Sequence, residues 1–423
     1  MRPLAITAMS LVNAMGTTQA EVLDALFAGR SGLVPSSTAG LPISLPFPTF
    51  VGAVPGALAP LPQRFERYDT RLARIGWHAL EEIRGDVEAA VARWGKRRVA
   101  VLIGTSTGGL DATEVAYRTW GETSVVPPAF DLRHQHDFNA LGELIAESLG
   151  VEGPVYVVST ACSSSAKVHA SAARLMDLGL IDAALVGGID SLCRMTLHGF
   201  RGLGILSESR CKPFAQDRNG INIGEGAGLM LVERVTDATE ARALAFVLGA
   251  GESSDAYNMS SPEPSGRGAK EAMQRALASG GLQPGEVDLV IAHGTATQQN
   301  DIAEALAIEG VLGLSTPVIS TKAYTGHQLG AAGATSAVFA AAIVERGAIP
   351  PSLGAEPLDA SLRVRVIGEH AQQDTGNADG NTVAQGASRV VLANAFAFGG
   401  SNVCLAIAGV PFARAHRARE GGA

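Results

Sequence analysis

Short apolar runs of strand type alternate with longer, Ala-rich helical stretches along most of this 423-residue chain. Strands that are apolar throughout are buried on both faces, and a sheet with helices on both sides buries them in this way. The alternation therefore predicts an α/β fold. We interpret the first apolar run as a strand rather than a cleaved signal segment, because polar residues interrupt it. The predicted strands are residues 3–11, 99–103, 155–159, 183–186, 228–232, 289–292, 317–320, 390–393 and 403–407.

Two stretches that lie 161 residues apart echo each other. Residues 157–160 (VVST) open a small-residue helix, and residues 318–321 (VIST) open a Gly/Ala-rich segment followed by a helix. A duplicated α/β half explains both this echo and a length well above the ~150 residues of a typical domain. We therefore predict an N-terminal half at residues 1–240, a C-terminal half at 241–410 and a flexible basic tail at 411–423.

The composition indicates a globular chain with a large core, since 46% of residues are hydrophobic and 17% are charged. The net charge of −8 argues against a general nucleic-acid binder, which needs a basic surface. The four cysteines form no CxxC pair, so we expect no metal site and a reduced, cytoplasmic location. The longest apolar run, residues 330–344, is shorter than the ~20 residues of a membrane span, so none is predicted.

Cys162 follows a strand-type run and precedes a helical pattern, which puts its thiol at a helix N-terminus. The unpaired N–H groups and the helix dipole there lower a thiol pKa and favour the thiolate. The alternative is a small buried structural cysteine, which is how we interpret the other three. They are Cys193, Cys211 and Cys404.

Two histidines also lie where a strand run ends. His293 precedes a glycine turn, and His327 lies in a glycine-rich loop that allows close backbone approach. Ligands collect at the carboxyl ends of strands in α/β folds. One cysteine and two histidines at three strand ends suit nucleophilic catalysis on a carbonyl group. The alternative is that both histidines are satisfied within their loops.

Together these motifs resemble the β-ketoacyl-acyl-carrier-protein synthases of elongating type I/II, in the thiolase superfamily. The resemblance runs in the expected order from about residue 4 to residue 407. Its main stretches are TACSS at 160–164, GEGAG at 224–228, HGTAT at 293–297, GHQLGAAG at 326–333 and NAFAFGGSN at 394–402.

The resemblance implies a duplicated α-β-α-β-α fold of five layers and a homodimer, with a heterodimer as the alternative. It also implies a decarboxylative condensation. An acyl group is loaded onto Cys162 from an acyl carrier protein, malonyl-carrier loses CO2, and the enolate attacks the acyl thioester. Substrates ride on the phosphopantetheine of the carrier, so no other cofactor is expected. Partners are the carrier and a second subunit, with no nucleic acid and no membrane.

By the same resemblance, His293 and His327 form the catalytic pair that stabilises the enolate, and Lys322 tunes the site with Glu304 as its ion partner. The backbone N–H groups of Cys162 and Phe398 form the oxyanion hole, and the Phe398 ring gates the acyl channel. Thr295 and Thr297 meet the pantetheine arm. A purely structural Lys322–Glu304 pair is the alternative. A Cys-His-His set argues for the elongating class.

Four arginines, at positions 64, 67, 71 and 74, are spaced to share one face of a predicted helix. The resemblance implies that Arg64 and Arg67 dock the acidic carrier; the alternative is an ordinary solvated face.

Some residues depart from the family pattern: 131–138 are rich in charge and histidine, and Asn222, Ile223, Ala395 and Ala397 are unusual. These leave acyl chain length open, and fatty-acid and polyene or polyketide elongation both remain. Two other functions stay open: a non-catalytic partner like a chain-length factor, and a thiolase-type acyltransferase or cysteine hydrolase.

Overall fold

The computed structural model describes residues 1–40, 44–369 and 390–421. The strands are β1 (Leu4–Asn13), β2 (Val34–Pro35), β3 (Phe50–Gly52), β4 (Val99–Gly104), β5 (Val155–Val158), β6 (Ala183–Asp190), β7 (Ile223–Gly224), β8 (Gly226–Arg234), β9 (Ala245–Ser254), β10 (Leu289–Ile291), β11 (Pro317–Ile319), β12 (Arg365–Val366), β13 (Val390–Phe396) and β14 (Ser401–Ala408). The helices are α1 (Gln19–Phe27), α2 (Arg71–Trp94), α3 (Leu110–Thr123), α4 (Leu132–Gln135), α5 (Phe138–Leu149), α6 (Ser164–Asp177), α7 (Arg194–Gly202), α8 (Asp237–Glu240), α9 (Arg267–Ser279), α10 (Gln298–Leu312), α11 (Lys322–Thr325), α12 (Ala332–Arg346) and α13 (Val410–Gly421).

The strand order repeats in the two halves of the chain. Within the described residues, the large sheet runs β12-β11-β10-β13-β14-β9-β1-β8-β6-β4-β5. Starting from β1 in one half and from β9 in the other, two antiparallel pairings are followed by two parallel ones. When the strands of each series are numbered along the chain, the two series follow the same order across the sheet. The chain is therefore a duplicated α/β unit, as the alternation and the echo predict.

The two repeats meet where β1 and β9 pair antiparallel, between Leu4–Ile6 and Ala245–Val247. The sequence pattern did not predict β9, because glycines and polar residues interrupt its apolar character. Two of those glycines are required by packing. An added Cβ would lie 2.2 Å from the Ala276 carbonyl oxygen at Gly249 and 2.0 Å from that of Ala272 at Gly251, so α9 lies directly on this strand.

Helices form three of the five layers. The helices α6 and α12 pack against each other between the two halves of the sheet, α2 and α5 cover the outer face of the first half, and α9 and α10 cover that of the second. The segment Leu329–Arg346 is long and apolar enough to cross a membrane by composition alone, but 83% of it is buried here as the central α12 layer. The apolar run at 330–344 is thus core packing.

The prediction of a flexible tail at 411–423 is wrong for residues 411–421, which belong to α13. Specific contacts hold this helix against the body. Ala413 is fully buried, His416 Nε2 lies 2.8 Å from the Gly280 carbonyl oxygen, and Arg414 and Arg417 pair with Glu240. The basic residues that suggested a solvated tail are ion-pair partners. Residues 422–423 lie outside the described residues.

Candidate active site

Cys162 lies in the turn between β5 and α6, at the helix start that the sequence predicts. The turn is tight: Ala161 has a φ of +50°, and the Ser163 hydroxyl donates to the Thr160 carbonyl oxygen at 2.9 Å. Ser163 also bonds the Ser401 hydroxyl at 3.1 Å, which ties this turn to the beginning of β14. Cys162 is thus held by both halves of the molecule and is 7% exposed.

Both histidines reach Cys162. His293 follows β10 and His327 follows the short helix α11 after β11, and the Cys162 sulfur and one nitrogen of each ring lie within 4.8 Å of one another. His327 Nε2 is 3.0 Å from the sulfur, and the two imidazole centroids are 5.2 Å apart. Sequence spacing predicted no metal site, yet these atoms are also close enough to reach one metal ion. A metal-free site therefore stays a prediction.

A backbone contact determines which nitrogen of His327 carries the proton. The Leu329 N–H donates to His327 Nδ1 at 3.2 Å, so Nδ1 accepts and carries no proton in the neutral ring. The imidazole is neutral because burial, and then the Lys322 charge, hold its pKa well below the ordinary value. Its proton is on Nε2 and points at the Cys162 sulfur.

His293 is also a neutral imidazole. Burial lowers its pKa well below the ordinary value, and the Lys322 charge, like a proton on His327, acts in the same direction. Its Nδ1 is buried without a hydrogen-bond partner among the described residues. A ring nitrogen in that condition is available to a substrate.

Glu304 anchors the His293 backbone rather than the Lys322 side chain. Its carboxylate accepts the N–H groups of His293 and Gly294, each at 2.8 Å, and the Asn394 amide at 3.0 Å. In the described part of the chain, no Lys322 nitrogen lies within 4.0 Å of Glu304, so the predicted direct ion pair is wrong. The carboxylate still acts on Lys322 at longer range, because its charge raises the lysine pKa that burial lowers.

The resting state of Cys162 differs from the thiolate that its helix position predicts. Burial raises the pKa of its thiol to about 12. Lys322 and the Phe398 backbone N–H lower this pKa, whereas the Asp190 charge raises it. The helix N-terminus is present, but loss of water around the buried sulfur outweighs it. Cys162 is therefore a thiol at neutral pH before substrate enters.

A cavity of about 410 Å³ opens onto the side chains of Cys162, His293 and His327. Thr295 and Thr297 line it and bond each other through their hydroxyls at 3.1 Å. Phe398 lines it too, and its ring packs against Phe200 with centroids 5.8 Å apart. Sequence reasoning missed Phe200, because a single aromatic in α7 carries no motif.

The four arginines do not share one helix face. Arg64 and Arg67 lie in a short 3₁₀ helix, Gln63–Tyr68, and α2 begins only after Thr70, whose side chain caps it by accepting from Ala73 N–H. Arg67 pairs with Glu147 at 2.7 Å and is 45% exposed. The other two arginines are used internally: Arg71 pairs with buried Glu225 and Arg74 with Asp69.

Comparison with known proteins identifies the family. The family model described as beta-ketoacyl synthase, N-terminal domain, matches residues 1–238, and the one described as beta-ketoacyl synthase, C-terminal domain, matches residues 236–356. The chain is 34% identical over 319 residues to nodulation protein E of Rhizobium meliloti, covering 73% of this chain and 75% of that one. It is 31% identical over 343 residues to 3-oxoacyl-[acyl-carrier-protein] synthase 2 of Staphylococcus aureus, covering 78% and 83%.

Among solved structures, the chain is similar to one from the complex of a ketosynthase with its chain length factor from Xenorhabdus doucetiae. The TM-score is 0.85 at 35% identity, covering 96% of this chain and 98% of that one. The duplicated five-layer architecture is the thiolase-like fold that the sequence resemblance implies. The chain belongs to the beta-ketoacyl synthase family.

Proposed function

We propose that this protein catalyses the decarboxylative condensation of an acyl group on Cys162 with malonyl-acyl-carrier protein, in fatty-acid or polyene/polyketide chain elongation. The observation that carries the proposal is the pairing of a buried thiol with the Nε2–H of a neutral imidazole at 3.0 Å, beside a second neutral imidazole. A cysteine protected in this way suits a long-lived acyl thioester. A non-catalytic subunit would need none of these groups.

In the first half-reaction, the Cys162 sulfur attacks the acyl thioester of the carrier. The carbon–sulfur bond to pantetheine breaks, and the thiol proton leaves on the pantetheine sulfur. Because the resting Cys162 is a thiol, its proton leaves together with the pantetheine thiol group. The backbone N–H groups of Cys162 and Phe398 both act on the sulfur, so they are suited to hold the carbonyl oxygen as negative charge develops there.

In the second half-reaction, the bond between the malonyl carboxylate and the α-carbon breaks, and its electron pair forms an enolate as CO2 leaves. His293 and His327 donate N–H groups to the thioester oxygen that gains this charge. The enolate carbon then attacks the acyl carbonyl. The bond to the Cys162 sulfur breaks, and the thiolate takes up one proton from solvent. Lys322 balances the negative charge during both steps.

Acyl carrier protein is the proposed substrate carrier, with Thr295 and Thr297 against its pantetheine arm and no further cofactor. Arg64 and Arg67 are proposed to dock it. Their guanidinium groups lie over the rings of Phe65 and Tyr68, at 4.6 and 4.9 Å. Each therefore stays at the surface in a fixed place, which suits recognition of an acidic partner.

A second subunit is proposed to cover the outer side of α3. Six large apolar side chains are exposed on α3, just after it and at the start of α4, and separately the outer edge of β5 has no neighbouring strand among the described residues. An exposed apolar patch and an open strand edge are each typical of a subunit interface. The occupant is a second copy of this chain, or a related chain-length-factor-like subunit. The six are Val115, Tyr117, Trp120, Val125, Val126 and Leu132.

Residues 1–240 and 241–410 are proposed as the two halves, the first carrying Cys162 and the second both histidines. A cytoplasmic location is supported by four free, buried cysteines.

Incubation with acyl-carrier and malonyl-carrier tests the function. We expect CO2 release matched by a carrier-bound product two carbons longer than the acyl substrate, detected by intact mass. A product formed without CO2 would indicate thiolase-type transfer, and free acid would indicate a cysteine hydrolase. Either result would overturn the proposal.

A further inference from the structure

Asp190 is a buried carboxylate that the proposed reaction does not use. It ends β6 and is fully buried. One oxygen accepts from the hydroxyls of Thr105 and Thr107, each at 2.7 Å, and from the N–H groups of Ser106 and Thr107, at 3.0 and 2.9 Å. No lysine or arginine nitrogen of the described residues lies within 4.0 Å of it. Four donors thus hold a charge that has no cation partner.

The second oxygen also accepts from the Ser106 N–H, at 3.0 Å, and faces the glycine turn that follows His327. At Gly330 an added Cβ would lie 2.7 Å from Asp190 Oδ2 and 2.6 Å from the Ser106 nitrogen. Real Cβ atoms do not approach other atoms this closely, so the Gly330 backbone itself rests against the carboxylate and the 105–107 turn. Together these groups form a rigid wall.

The turn resting on this wall supplies the N–H that determines the His327 tautomer. Leu329 has a φ of +50°, a left-handed conformation that is unfavourable for a leucine. Its side chain is 3% exposed in an apolar cluster, and Gly330 is pressed on Asp190 from the other side. Packing on both sides keeps the Leu329 N–H aimed at His327 Nδ1.

We propose that Asp190 is a positioning residue. Its carboxylate supports the Leu329–Gly330 turn and, through the Leu329 N–H, keeps the N–H at Nε2 of His327 directed at the Cys162 sulfur. The inference rests on the proposed function only for its rate measurement. Asp190 also acts directly on the site, because its charge raises the pKa of Cys162.

Three variants test the support. Asp190→Ala removes the wall, and Gly330→Ala pushes a methyl group into it. Asp190→Asn keeps the shape and the oxygen that accepts four hydrogen bonds. Asp182→Ala is the matched control, because Asp182 is also a buried carboxylate, lies just before the other end of β6 and pairs with the partly exposed Arg98 and Arg234, away from His327. A displacement of about 1 Å can lower a rate by roughly 10²-fold. We expect Asp190→Ala and Gly330→Ala to lower decarboxylation by about that factor, Asp190→Asn to recover most of the loss, and the control to match the wild type.

The ¹⁵N shifts of His327 in histidine-labelled protein give a second readout that needs no substrate. The wild type is expected to show a protonated Nε2 and an unprotonated Nδ1, assigned by comparison with His327→Ala. Asp190→Ala and Gly330→Ala should give mixed tautomers, whereas Asp190→Asn should resemble the wild type. This readout separates the two ideas: a wild type that releases no CO2 removes the proposed function, and the shifts still test the positioning role.

The double variant Asp190→Ala/Gly330→Ala tests whether the two residues act through one contact. The space left by Asp190 accommodates the methyl group, so the combined loss should be clearly smaller than the product of the single losses. Multiplicative losses, with wild-type His327 shifts in both single variants, would overturn the proposal. A simple folding defect would lower the amount of folded protein in Asp190→Asn as much as in Asp190→Ala. It would leave the His327 tautomer of the folded fraction unchanged.

Discussion

His327 Nε2 lies 3.0 Å from the Cys162 sulfur and carries the proton between them when the imidazole is neutral. The imidazole is thus a hydrogen-bond donor to the sulfur and not its base. Donation stabilises negative charge on whichever atom stands there: the sulfur during acyl transfer, or the thioester oxygen during decarboxylation. One fixed proton can therefore serve both half-reactions.

The first prediction separates the histidines from the cysteine. His293→Ala and His327→Ala should still acylate Cys162, because the sulfur and the N–H groups of the turn remain, although His327→Ala should do so more slowly because it loses the N–H donated to the sulfur. Each should lose decarboxylation by roughly 10²–10³-fold, the usual effect of removing one oxyanion donor. Each half-reaction is measured alone, by intact mass and by CO2 release. The control is His198→Ala, an exposed histidine that packs on Phe47. Unchanged CO2 release in both variants would refute the assigned roles.

The second prediction concerns pH. The thiol has a pKa of about 12, so its thiolate fraction rises tenfold with each pH unit below that value. Alkylation of Cys162 by iodoacetamide should accelerate by about this factor per unit from pH 7 to 10, without a plateau. Lys322→Met should slow it, because Lys322 lowers the thiol pKa. A plateau near pH 7 would mean that the resting cysteine is a thiolate.

Much of this site could be predicted from sequence, because Cys162, His293 and His327 each follow a strand run that ends in a recognisable turn. Strand ends at one edge of a sheet bring such residues together whatever their sequence separation. The Leu329 N–H could not be predicted, since a leucine at positive φ has no sequence signal. The direct contacts of Glu304 could not be predicted either: the resemblance gives it as the ion partner of Lys322, whereas its carboxylate accepts the backbone N–H groups of His293 and Gly294.

The arginine prediction failed in part for a different reason. Regular spacing suggests one helix face only if the helix is continuous, and the Thr70 cap begins a new helix. Likewise, the charge of the 411–421 segment suggested solvation, but its arginines face acidic partners from distant parts of the chain. Such long-range pairs leave no local pattern in a sequence.

The third prediction tests carrier docking. Charge reversal of Arg64 and Arg67 together should raise KM for the acyl-carrier substrate and weaken its salt dependence, because rim charges act mainly on encounter. Activity on small acyl thioesters should hardly change. The matched control reverses Lys96 and Arg97, another exposed basic pair in a 3₁₀ turn. An unaltered KM at low salt would remove these arginines from the docking surface.

The fourth prediction concerns the second subunit. Tyr117→Asp with Trp120→Asp places two charges on an apolar surface where these side chains are 67% and 52% exposed. If a subunit covers them, the pair should convert an assembly into single chains, measured by sedimentation. Charges at exposed positions should otherwise cost little stability. The control is Leu178→Asp, at the C-terminal end of α6, where the side chain is 73% exposed. An unchanged sedimentation coefficient would exclude this face as the interface.

The central claim is that one carbon–carbon bond forms between an acyl group on Cys162 and a decarboxylated malonyl unit. Protein acylated by an acyl-carrier is freed of excess substrate and mixed with malonyl-carrier in a single turnover. We predict an acyl adduct on Cys162 that is absent from Cys162→Ala. On mixing, the adduct should be lost from the protein as one CO2 is released per acyl group, and the acyl chain should appear on the carrier two carbons longer. An adduct on Cys193, release as free acid, or transfer to the carrier without CO2 would contradict the account.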